Sequence, residues 1–260
     1  MTPPPVRDPL PTCVQGLPAL PEAYYASVRD GLAAAGASEL TLEQLTATAD
    51  HVRLLLAWND AINLTAIREP EAMAREHVLD SLSALALLRE AGVTEFLDLG
   101  SGGGFPGLTL AIALPATRAI LVESVGKKAR FLSAAVECVG LADRVAVAPV
   151  RAEAMAANPR HRGLWQAVLA RAVADLTELS ELSMPLLRPG GLLVAWKRLP
   201  LEAELDRAER AVRQLGGRLA GYQSVAVSGL EDHVLAIVEK VGPTPPEFPR
   251  DPAARRRRPL

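Results

Sequence analysis

Residues 96–107 read FLDLGSGGGFPG, in which an apolar run containing Asp98 is followed by five glycines within eight residues. A short apolar run is typical of a buried β-strand, and Pro106 suits the first turn of a helix. Glycine adopts positive φ and, having no Cβ, allows a ligand to touch the main chain. The stretch therefore predicts a strand, a ligand-binding loop and a helix, as at the ligand site of a doubly wound sheet.

The sequence around this stretch alternates between strand-like and helix-like patterns. Strands are predicted at 93–99, 118–123, 144–150, 165–173 and 190–197, and helices at 106–114, 126–139, 175–187 and 201–216. Two further strand-like stretches, near 218–228 and 232–240, have no helix between them. The pattern predicts an α/β fold with a mostly parallel, seven-stranded, Rossmann-like sheet that ends in an antiparallel hairpin.

The chain is predicted to have four segments. Residues 1–18 are rich in proline and are expected to be a disordered lead-in. Residues 19–92 form a helical N-terminal extension, in which Thr41 and Gln44 match a capping box and a further helix is expected at about 70–90. The sheet domain covers 93–242, and the remaining 243–260 form an extended tail rich in proline and arginine.

The composition restricts the function classes. The formal net charge is −2, so a nucleic-acid surface must be local, and residues 250–260 hold five arginines against one aspartate. The longest apolar stretch, 108–117, is too short to cross a bilayer, and the N-terminus lacks a signal-peptide pattern. The two cysteines and four scattered histidines have no metal-ligand spacing. We therefore expect a soluble cytoplasmic protein that uses no metal.

The glycine spacing leaves two cofactors open. Gly102, Gly104 and Gly107 match the dinucleotide pattern G-x-G-x-x-G, whereas Gly100, Gly102 and Gly104 match the G-x-G-x-G of S-adenosylmethionine enzymes. Glu123 ends the second predicted strand, where a carboxylate accepts hydrogen bonds from ribose hydroxyls and repels the phosphate of NADP. NAD and S-adenosylmethionine both remain possible at this point.

Four charged side chains near predicted strand ends are candidate site residues. Asp98 could hold the glycine loop or reach a ligand's ammonium, and Glu153 could accept from an adenine amino group or be a solvated acid at a helix start. Arg171 and Lys197 end the fourth and fifth strands. A cation at the end of an apolar strand must reach solvent, a partner or a ligand, so we expect both at the active-site edge.

Absent motifs narrow the acceptor of a methyl group. No Asn/Asp-Pro-Pro-aromatic tetrad follows the fourth strand, and neither cysteine lies at a strand end. Methylation of an exocyclic adenine amine, or of a pyrimidine carbon through a covalent thiolate, is therefore unsupported. If the chain is a methyltransferase, its acceptor should be nucleophilic without deprotonation, as guanine N7 is, and the enzyme needs mainly proximity and alignment.

Several motifs in register resemble one family. WNDAINLTAI (58–67), EHVLDSL (76–82), LDLGSGGGFPG (97–107), ARAVADL (170–176) and the closing PR…PL are similar to the RsmG, or GidB, methyltransferases of small-subunit ribosomal RNA. The resemblance implies a class I methyltransferase domain at 93–242, S-adenosylmethionine as donor, and 7-methylguanosine in the decoding-region loop of 16S RNA as product. It implies that Arg171 lies near the donor and the target base, and that Gly100, Phe105, Glu123, Ser124, Ala152 and Glu153 bind the cofactor. Together with the candidates taken from the residues alone, the predicted catalytic residues are Arg171 and Lys197, and the predicted cofactor-binding residues also include Asp98, Gly102 and Arg171.

The resemblance leaves some residues and alternatives open. His77 and Asp80 share a helix face and either pack the extension against the sheet domain or contact RNA. The tail arginines either bind RNA phosphates or keep a disordered tail soluble. The expected partner is small-subunit RNA or the assembled 30S subunit, with no membrane and no protein partner evident. The alternatives are an NAD-dependent oxidoreductase and a non-catalytic, RNA-binding assembly factor. The tail residues expected to bind RNA are Arg250, Arg255, Arg256, Arg257 and Arg258.

Overall fold

The computed structural model describes residues 9–35, 37 and 39–260, and its centre is a sheet of seven strands. They are β1 (Glu95–Leu99), β2 (Arg118–Val122), β3 (Val145–Ala148), β4 (Trp165–Arg171), β5 (Leu187–Arg198), β6 (Gly217–Ser224) and β7 (His233–Lys240). Their order in the sheet is β3-β2-β1-β4-β5-β7-β6. The five strands from β3 to β5 are parallel, and β7 runs antiparallel to both β5 and β6. The predicted sheet and its terminal hairpin are confirmed.

The strand order reverses between β1 and β4. The chain leaves β1 for β2 and β3 on one side and then returns to β4 on the other, so the crevice at the carboxyl ends of β1 and β4 is the topological switch point. Ligands of open α/β sheets bind in this crevice. The predicted glycine loop lies there, directly after β1.

Helices cover both faces of the sheet. Within the sheet domain they are α6 (Gly107–Ala113), α7 (Gly126–Cys138), α8 (Ala152–Ala157), α9 (Leu176–Ser183) and α10 (Glu202–Gln214). The N-terminal extension contains α1 (Glu22–Ala34), α2 (Leu42–Ile62), α3 (Pro70–Met73), a π-helical segment (Ala74–Leu79), α4 (Asp80–Leu82) and α5 (Leu85–Glu90). The predicted capping box of α2 is present. The single helix expected at 70–90 is instead divided by the π-helical segment and by a break before α5.

The extension shares its hydrophobic core with the sheet. Leu55 and Trp58 of α2 are buried in the same cluster as Phe96 of β1, Leu108 of α6 and Phe131 of α7. Each Å² of apolar surface buried contributes about 25 cal/mol. The shared cluster therefore stabilises the extension and the sheet domain together. The extension therefore presents side chains to the switch point from a fixed position.

The lead-in is ordered where the structure describes it. Residues 1–8 lie outside the described residues, whereas the main chain of 9–18 is held by α2. Trp58 Nε1 donates to Pro11 O at 2.7 Å, and the Arg53 guanidinium donates to Leu17 O at 2.6 Å. The expectation of disorder is corrected for this part, because donors on α2 satisfy its carbonyls.

The tail ends in a helix and is not extended throughout. Helix α11 (Pro252–Arg257) begins after Asp251, whose side chain accepts from the main-chain N–H groups of Ala253 and Ala254. Proline at the first helical position and an aspartate before it form a strong helix start. The prediction of an extended tail is therefore wrong for 252–257.

Candidate active site

The glycine loop is bound to the end of β2. Gly100 N donates to Val122 O at 2.8 Å, and Gly102 N donates to Glu123 Oε2 at 3.0 Å. The other carboxylate oxygen of Glu123 accepts from Val125 N at 2.7 Å, so this side chain, 6% exposed, is held by two main-chain donors. Gly100 and Gly102 have φ values of 72° and 54°, which favour glycine.

Asp98 supports the loop from beneath. Its Oδ2 accepts from Gly107 N at 3.1 Å, and a Cβ at Gly107 would lie 2.5 Å from the same oxygen. Asp98 Oδ1 is buried and has no hydrogen-bond partner among the described residues, and burial raises the pKa of Asp98 to about 6. The completely buried carboxyl thus serves the first of its two expected roles, which is to hold the loop.

A first cavity, of about 310 Å³, opens at the ends of β1, β2 and β3 and is here named the glycine-loop cleft. A Cβ at Gly102, which does not itself line this cleft, would meet nothing closer than Gly100 O at 3.7 Å. The lining includes five of the residues predicted to bind the cofactor, which are Gly100, Glu123, Ser124, Ala152 and Glu153.

A second cavity, of about 500 Å³, lies at the ends of β4 and β5 and is here named the Arg171 cleft. Arg171, Lys197 and Arg198 give it cationic groups, and Trp196 gives it an aromatic surface. His77 and Asp80 of the extension complete the wall opposite the strands. Both residues predicted to be catalytic therefore lie in one cavity, beside the motif whose role the sequence left open.

Arg171 is anchored by the extension. Its Nη1 donates to Asp80 Oδ2 at 2.8 Å and to Glu76 O at 3.1 Å, and its Nη2 donates to His77 Nδ1 at 3.2 Å. The π-helical segment carries Glu76 and His77, and such segments are frequent at functional sites. The guanidinium carbon lies 5.5 Å from the centre of the Phe105 ring.

Asp80 joins the extension to three strands of the sheet. Besides Arg171 of β4, its side chain accepts from His233 Nδ1 of β7 at 2.9 Å, and its main-chain carbonyl accepts from Trp196 Nε1 of β5 at 2.8 Å. The Asp80 side chain is 2% exposed, and a buried carboxylate requires partners of this kind. Sequence reasoning missed His233 and Trp196, because neither is near Asp80 along the chain.

His77 is a neutral hydrogen-bonding link. Burial, together with the Arg171 charge, lowers the pKa of His77 to about 3. The neutral ring therefore accepts from Arg171 at Nδ1 and donates from Nε2 to Thr65 Oγ1, at 2.8 Å. For His77 the structure supports the packing alternative, because both ring nitrogens bond within the chain.

Phe105 is enclosed between two imidazole rings. Its ring centre lies 4.6 Å from that of His51 and 4.6 Å from that of His77, and both pairs are stacked. The ring does not line the glycine-loop cleft, and neither do Asp98, Gly102 and Arg171. The ring thus packs the extension onto the glycine loop, and its expected contact with the cofactor stays a prediction.

The segment that follows β4 separates the two clefts. Ala172 and Ala174 line the Arg171 cleft, whereas Val173 and Ala174 line the glycine-loop cleft. Ala172 has a φ of 56°, an uncommon conformation for a residue with a Cβ and one that is found at functional sites. Lys197 Nζ holds this segment by donating to Ala174 O at 2.7 Å, and it pairs with Glu204 Oε1 at 2.6 Å.

Two of the five tail arginines have partners within the chain. Arg255, 6% exposed, pairs with Glu153 and Glu178, and Arg250 pairs with the buried Glu181 at 2.6 Å. Their guanidinium groups are thus paired with carboxylates of the same chain, and their expected role in RNA binding stays a prediction. The other three, Arg256, Arg257 and Arg258, are exposed.

The described residues contain neither a metal-binding group nor a membrane-spanning helix. Among residues 9–35, 37 and 39–260, no three His, Cys, Asp or Glu side chains form a group that could hold a metal ion. Over the same part of the chain, no helix has the length and apolar character needed to cross a membrane.

Comparison with known proteins gives one family. The family model for GidB, rRNA small subunit methyltransferase G, matches residues 44–232. Ribosomal RNA small subunit methyltransferase G of Chloroflexus aggregans is 45% identical over 206 residues, which are 79% of this chain and 86% of the relative. The protein of the same name from Rubrobacter xylanophilus is 44% identical over 224 residues, 84% of each chain.

A solved structure shows the same fold. The O-methyltransferase from Bacillus cereus, in complex with SAH, superposes with a TM-score of 0.51 at 19% identity. The match covers 73% of this chain and 90% of that chain. The sheet domain therefore has the Rossmann-like fold of class I methyltransferases, as the sequence predicted.

Proposed function

The chain belongs to the rRNA small subunit methyltransferase G family, and we propose that it transfers a methyl group from S-adenosylmethionine to N7 of a guanosine in small-subunit ribosomal RNA. One structural observation carries the proposal. The glycine-loop cleft and the Arg171 cleft share Ala174 in their walls, so ligands in the two cavities would lie on either side of the segment that follows β4. The family match gives no support to an oxidoreductase or to a non-catalytic assembly factor.

The glycine-loop cleft suits S-adenosylmethionine. Gly100 brings the main chain to the wall of the cleft, Glu123 and Glu153 offer carboxylate oxygens, and Val122, Val150 and Leu182 add apolar residues to the lining. Glu123 accepts one hydrogen bond at each oxygen and retains lone pairs for ribose hydroxyls. When bound, the donor supplies a methyl group on a positively charged sulfur, which a nucleophile attacks without help from a metal.

The Arg171 cleft suits a guanine base. Arg171 donates three of its five N–H groups to the extension, which leaves two without a protein acceptor among the described residues. A free N–H group of this kind can bind guanine O6. Because N7 already carries a lone pair, the site needs no general base, and neutral His77 with both nitrogens bonded offers none.

Arg171 and Lys197 have different roles in this proposal. Arg171 binds the base, so it keeps its expected place as a catalytic residue. Lys197 fixes the segment between the clefts through Ala174 O, so its role is to position and not to touch the base. Enzymatic methyl transfer gains chiefly from such alignment, since well-oriented reactants reach effective molarities of roughly 10⁵ M or more.

The RNA outside the target base needs a cationic surface. We place the phosphate contacts at Arg198, which is exposed at the rim of the Arg171 cleft, and at Arg256, Arg257 and Arg258 of the tail. These contacts would make binding weaken with salt. We further propose that the substrate is the decoding-region loop, in naked 16S RNA or in the 30S subunit, and that the protein acts in the cytoplasm, where ribosomes assemble.

Methyl transfer can be tested directly. The purified chain is incubated with tritiated S-adenosylmethionine and either naked 16S RNA or 30S subunits from cells that lack this methylation. Incorporation into only one substrate identifies the form that is recognised. The absence of incorporation into both, with donor binding intact, would contradict the proposed reaction.

A further inference from the structure

The C-terminal tail folds back onto the helices beside the glycine-loop cleft. Arg250 donates to Glu181 of α9 from its main-chain N at 2.8 Å and from its Nε at 2.9 Å. Helix α11 follows, and Arg255 Nη1 donates back to Arg250 O at 2.9 Å. Near the start of the tail, the Phe248 side chain is buried in the core that includes Leu179 and Leu182 of α9. The tail is therefore attached by buried contacts at several points.

Arg255 connects two helices at the edge of the cleft. Its guanidinium pairs with Glu153 of α8, and its Nε lies 3.3 Å from Glu178 Oε1 of α9. All three side chains line the glycine-loop cleft. Arg255 is buried, although the residue that follows it on this basic helix, Arg256, is exposed. A purely solubilising or RNA-binding arginine would not need to be buried.

The pair with Arg255 determines how Glu153 is presented. A free glutamate loses rotamer freedom when it is fixed, and the planar guanidinium fork of Arg255 imposes one orientation in advance. Helix α8 has only six residues and no side-chain cap at its start, so it gives little support of its own. Burial acts to raise the pKa of Glu153, but the hydrogen bond from Arg255 and the surrounding charges and main-chain dipoles hold the pKa below its ordinary value. The carboxyl is thus ionised and acts only as an acceptor.

We propose that Arg255 is a positioning residue of the donor site, which reaches from the C-terminal helix to hold the Glu153 carboxylate where it accepts from the adenine amino group of S-adenosylmethionine. The proposal rests on the proposed function, since it assumes that the glycine-loop cleft binds this donor. It assigns the buried arginine of the tail to donor recognition and leaves the exposed Arg256, Arg257 and Arg258 for RNA.

Calorimetry of the full chain with S-adenosylhomocysteine tests this role. Arg255→Ala should raise the Kd roughly tenfold, while Arg257→Ala, on the same helix but exposed, should leave the donor Kd unchanged. Glu153→Gln should have an effect similar to that of Arg255→Ala. The double variant should be no worse than either single variant, because residues acting through one contact are non-additive. Arg255→Lys should restore only part of the affinity, since it lacks the fork.

A second ligand separates positioning from general destabilisation. S-inosylhomocysteine carries a 6-oxo group in place of the adenine amino group, so it presents an acceptor at position 6 and loses the hydrogen bond that the amino group would donate to Glu153. Arg255→Ala should reduce the preference for S-adenosylhomocysteine over this analogue, whereas a merely structural loss would weaken both ligands equally. Thermal unfolding of each variant accompanies the titrations, and Glu153→Gln, which leaves the pair of Arg255 with Glu178, carries the test if Arg255→Ala fails to fold.

Two outcomes have different meanings. The role of Arg255 would be overturned if Arg255→Ala kept the wild-type preference for S-adenosylhomocysteine over the analogue. If Arg255→Ala does not fold, the same result in Glu153→Gln would overturn it. A wild-type chain that binds neither ligand would instead contradict the proposed function.

Discussion

At the scale of single residues, the site depends on how Asp80 pairs with Arg171. The sequence predicted that Arg171 would lie at the active-site edge, and the structure adds that its guanidinium is held by Asp80 and His77 at 2.8 and 3.2 Å. A buried ion pair adds little stability by itself, but removing one member leaves the other uncompensated. Asp80 thus orients the group that we propose binds the base.

Replacing Asp80 by Asn should therefore reduce both stability and turnover. The amide keeps the shape but leaves Arg171 without a charge partner, so the free energy of unfolding should fall by about 3 kcal/mol. Methyl transfer should slow by roughly tenfold to a hundredfold, because misplaced groups lose alignment, while the donor Kd stays near the wild-type value. Urea denaturation, single-turnover methylation and calorimetry measure these three quantities.

The control is Asp60→Asn, which breaks the exposed pair of Asp60 with Arg68 and should change none of them measurably. Turnover in Asp80→Asn equal to that of wild type would remove Asp80 from the site.

His51 gives a pH dependence of known sign. Burial lowers the pKa of His51 to about 4, and its Nε2 donates to Gly103 O at 2.7 Å. Between about pH 6.5 and pH 4 the unfolded chain binds one proton more than the folded chain at this residue, so stability falls as the pH falls. In that range the slope for wild type should exceed the slope for His51→Gln by up to about 1.4 kcal/mol per pH unit.

Urea titrations at a series of pH values compare the two proteins. Asp98, whose pKa is raised to about 6, contributes with the opposite sign but is present in both, so the difference isolates His51. The two slopes should coincide above pH 7. Parallel slopes down to pH 4 would show that His51 takes up a proton as readily in the folded chain as in the unfolded chain.

At the scale of elements, the loop after β1 combines positive φ with a hydrogen bond to the wall of the cleft. Gly102 has φ 54° and open space around an added Cβ, and its N–H donates to Glu123, which lines the glycine-loop cleft. Strain at Gly102 would therefore displace a carboxylate that we assign to the donor site. Gly190 in β5 has φ 78° and open space as well, but lies away from both clefts.

The variants Gly102→Ala and Gly190→Ala should therefore separate backbone strain from donor binding. Both should lower the free energy of unfolding by about 1–2 kcal/mol, since a left-handed backbone is strained once a Cβ is present. Only Gly102→Ala should weaken S-adenosylhomocysteine, by roughly tenfold or more, as measured by calorimetry. Equal donor affinities for the two variants would place the donor elsewhere.

The elements also show what a sequence can predict. All seven strands and the capping box at Thr41 followed from local periodicity and end signals, because these depend on neighbours along the chain. Two elements did not follow from these local signals. The π-helical segment at 74–79 includes a main-chain carbonyl that accepts from the distant Arg171. Helix α11 begins at a single Asp-Pro signal, which competes with the basic run that follows it. His233 lies 153 residues from Asp80, and Glu153 lies 102 residues from Arg255. Contacts at these separations are beyond the reach of any local pattern.

At the scale of the whole molecule, both chain ends build the site around the sheet. The extension supplies Asp80 and His77 to the Arg171 cleft, and the C-terminal tail supplies Arg255 to the glycine-loop cleft. The sheet domain alone provides the loop and the strand ends, which class I methyltransferases share. The groups that we propose to hold Arg171 and Glu153 in place thus come from the two terminal segments.

The measurement that tests this account most directly is the mapping of 7-methylguanosine in 16S RNA by mass spectrometry. Unmodified 30S subunits or RNA are treated with S-adenosylmethionine and either the wild-type chain or Arg171→Ala. The account predicts a single new 7-methylguanosine in the decoding-region loop with wild type and a large loss of it with the variant. Methylation at another atom or base, or full product formation by Arg171→Ala, would contradict it.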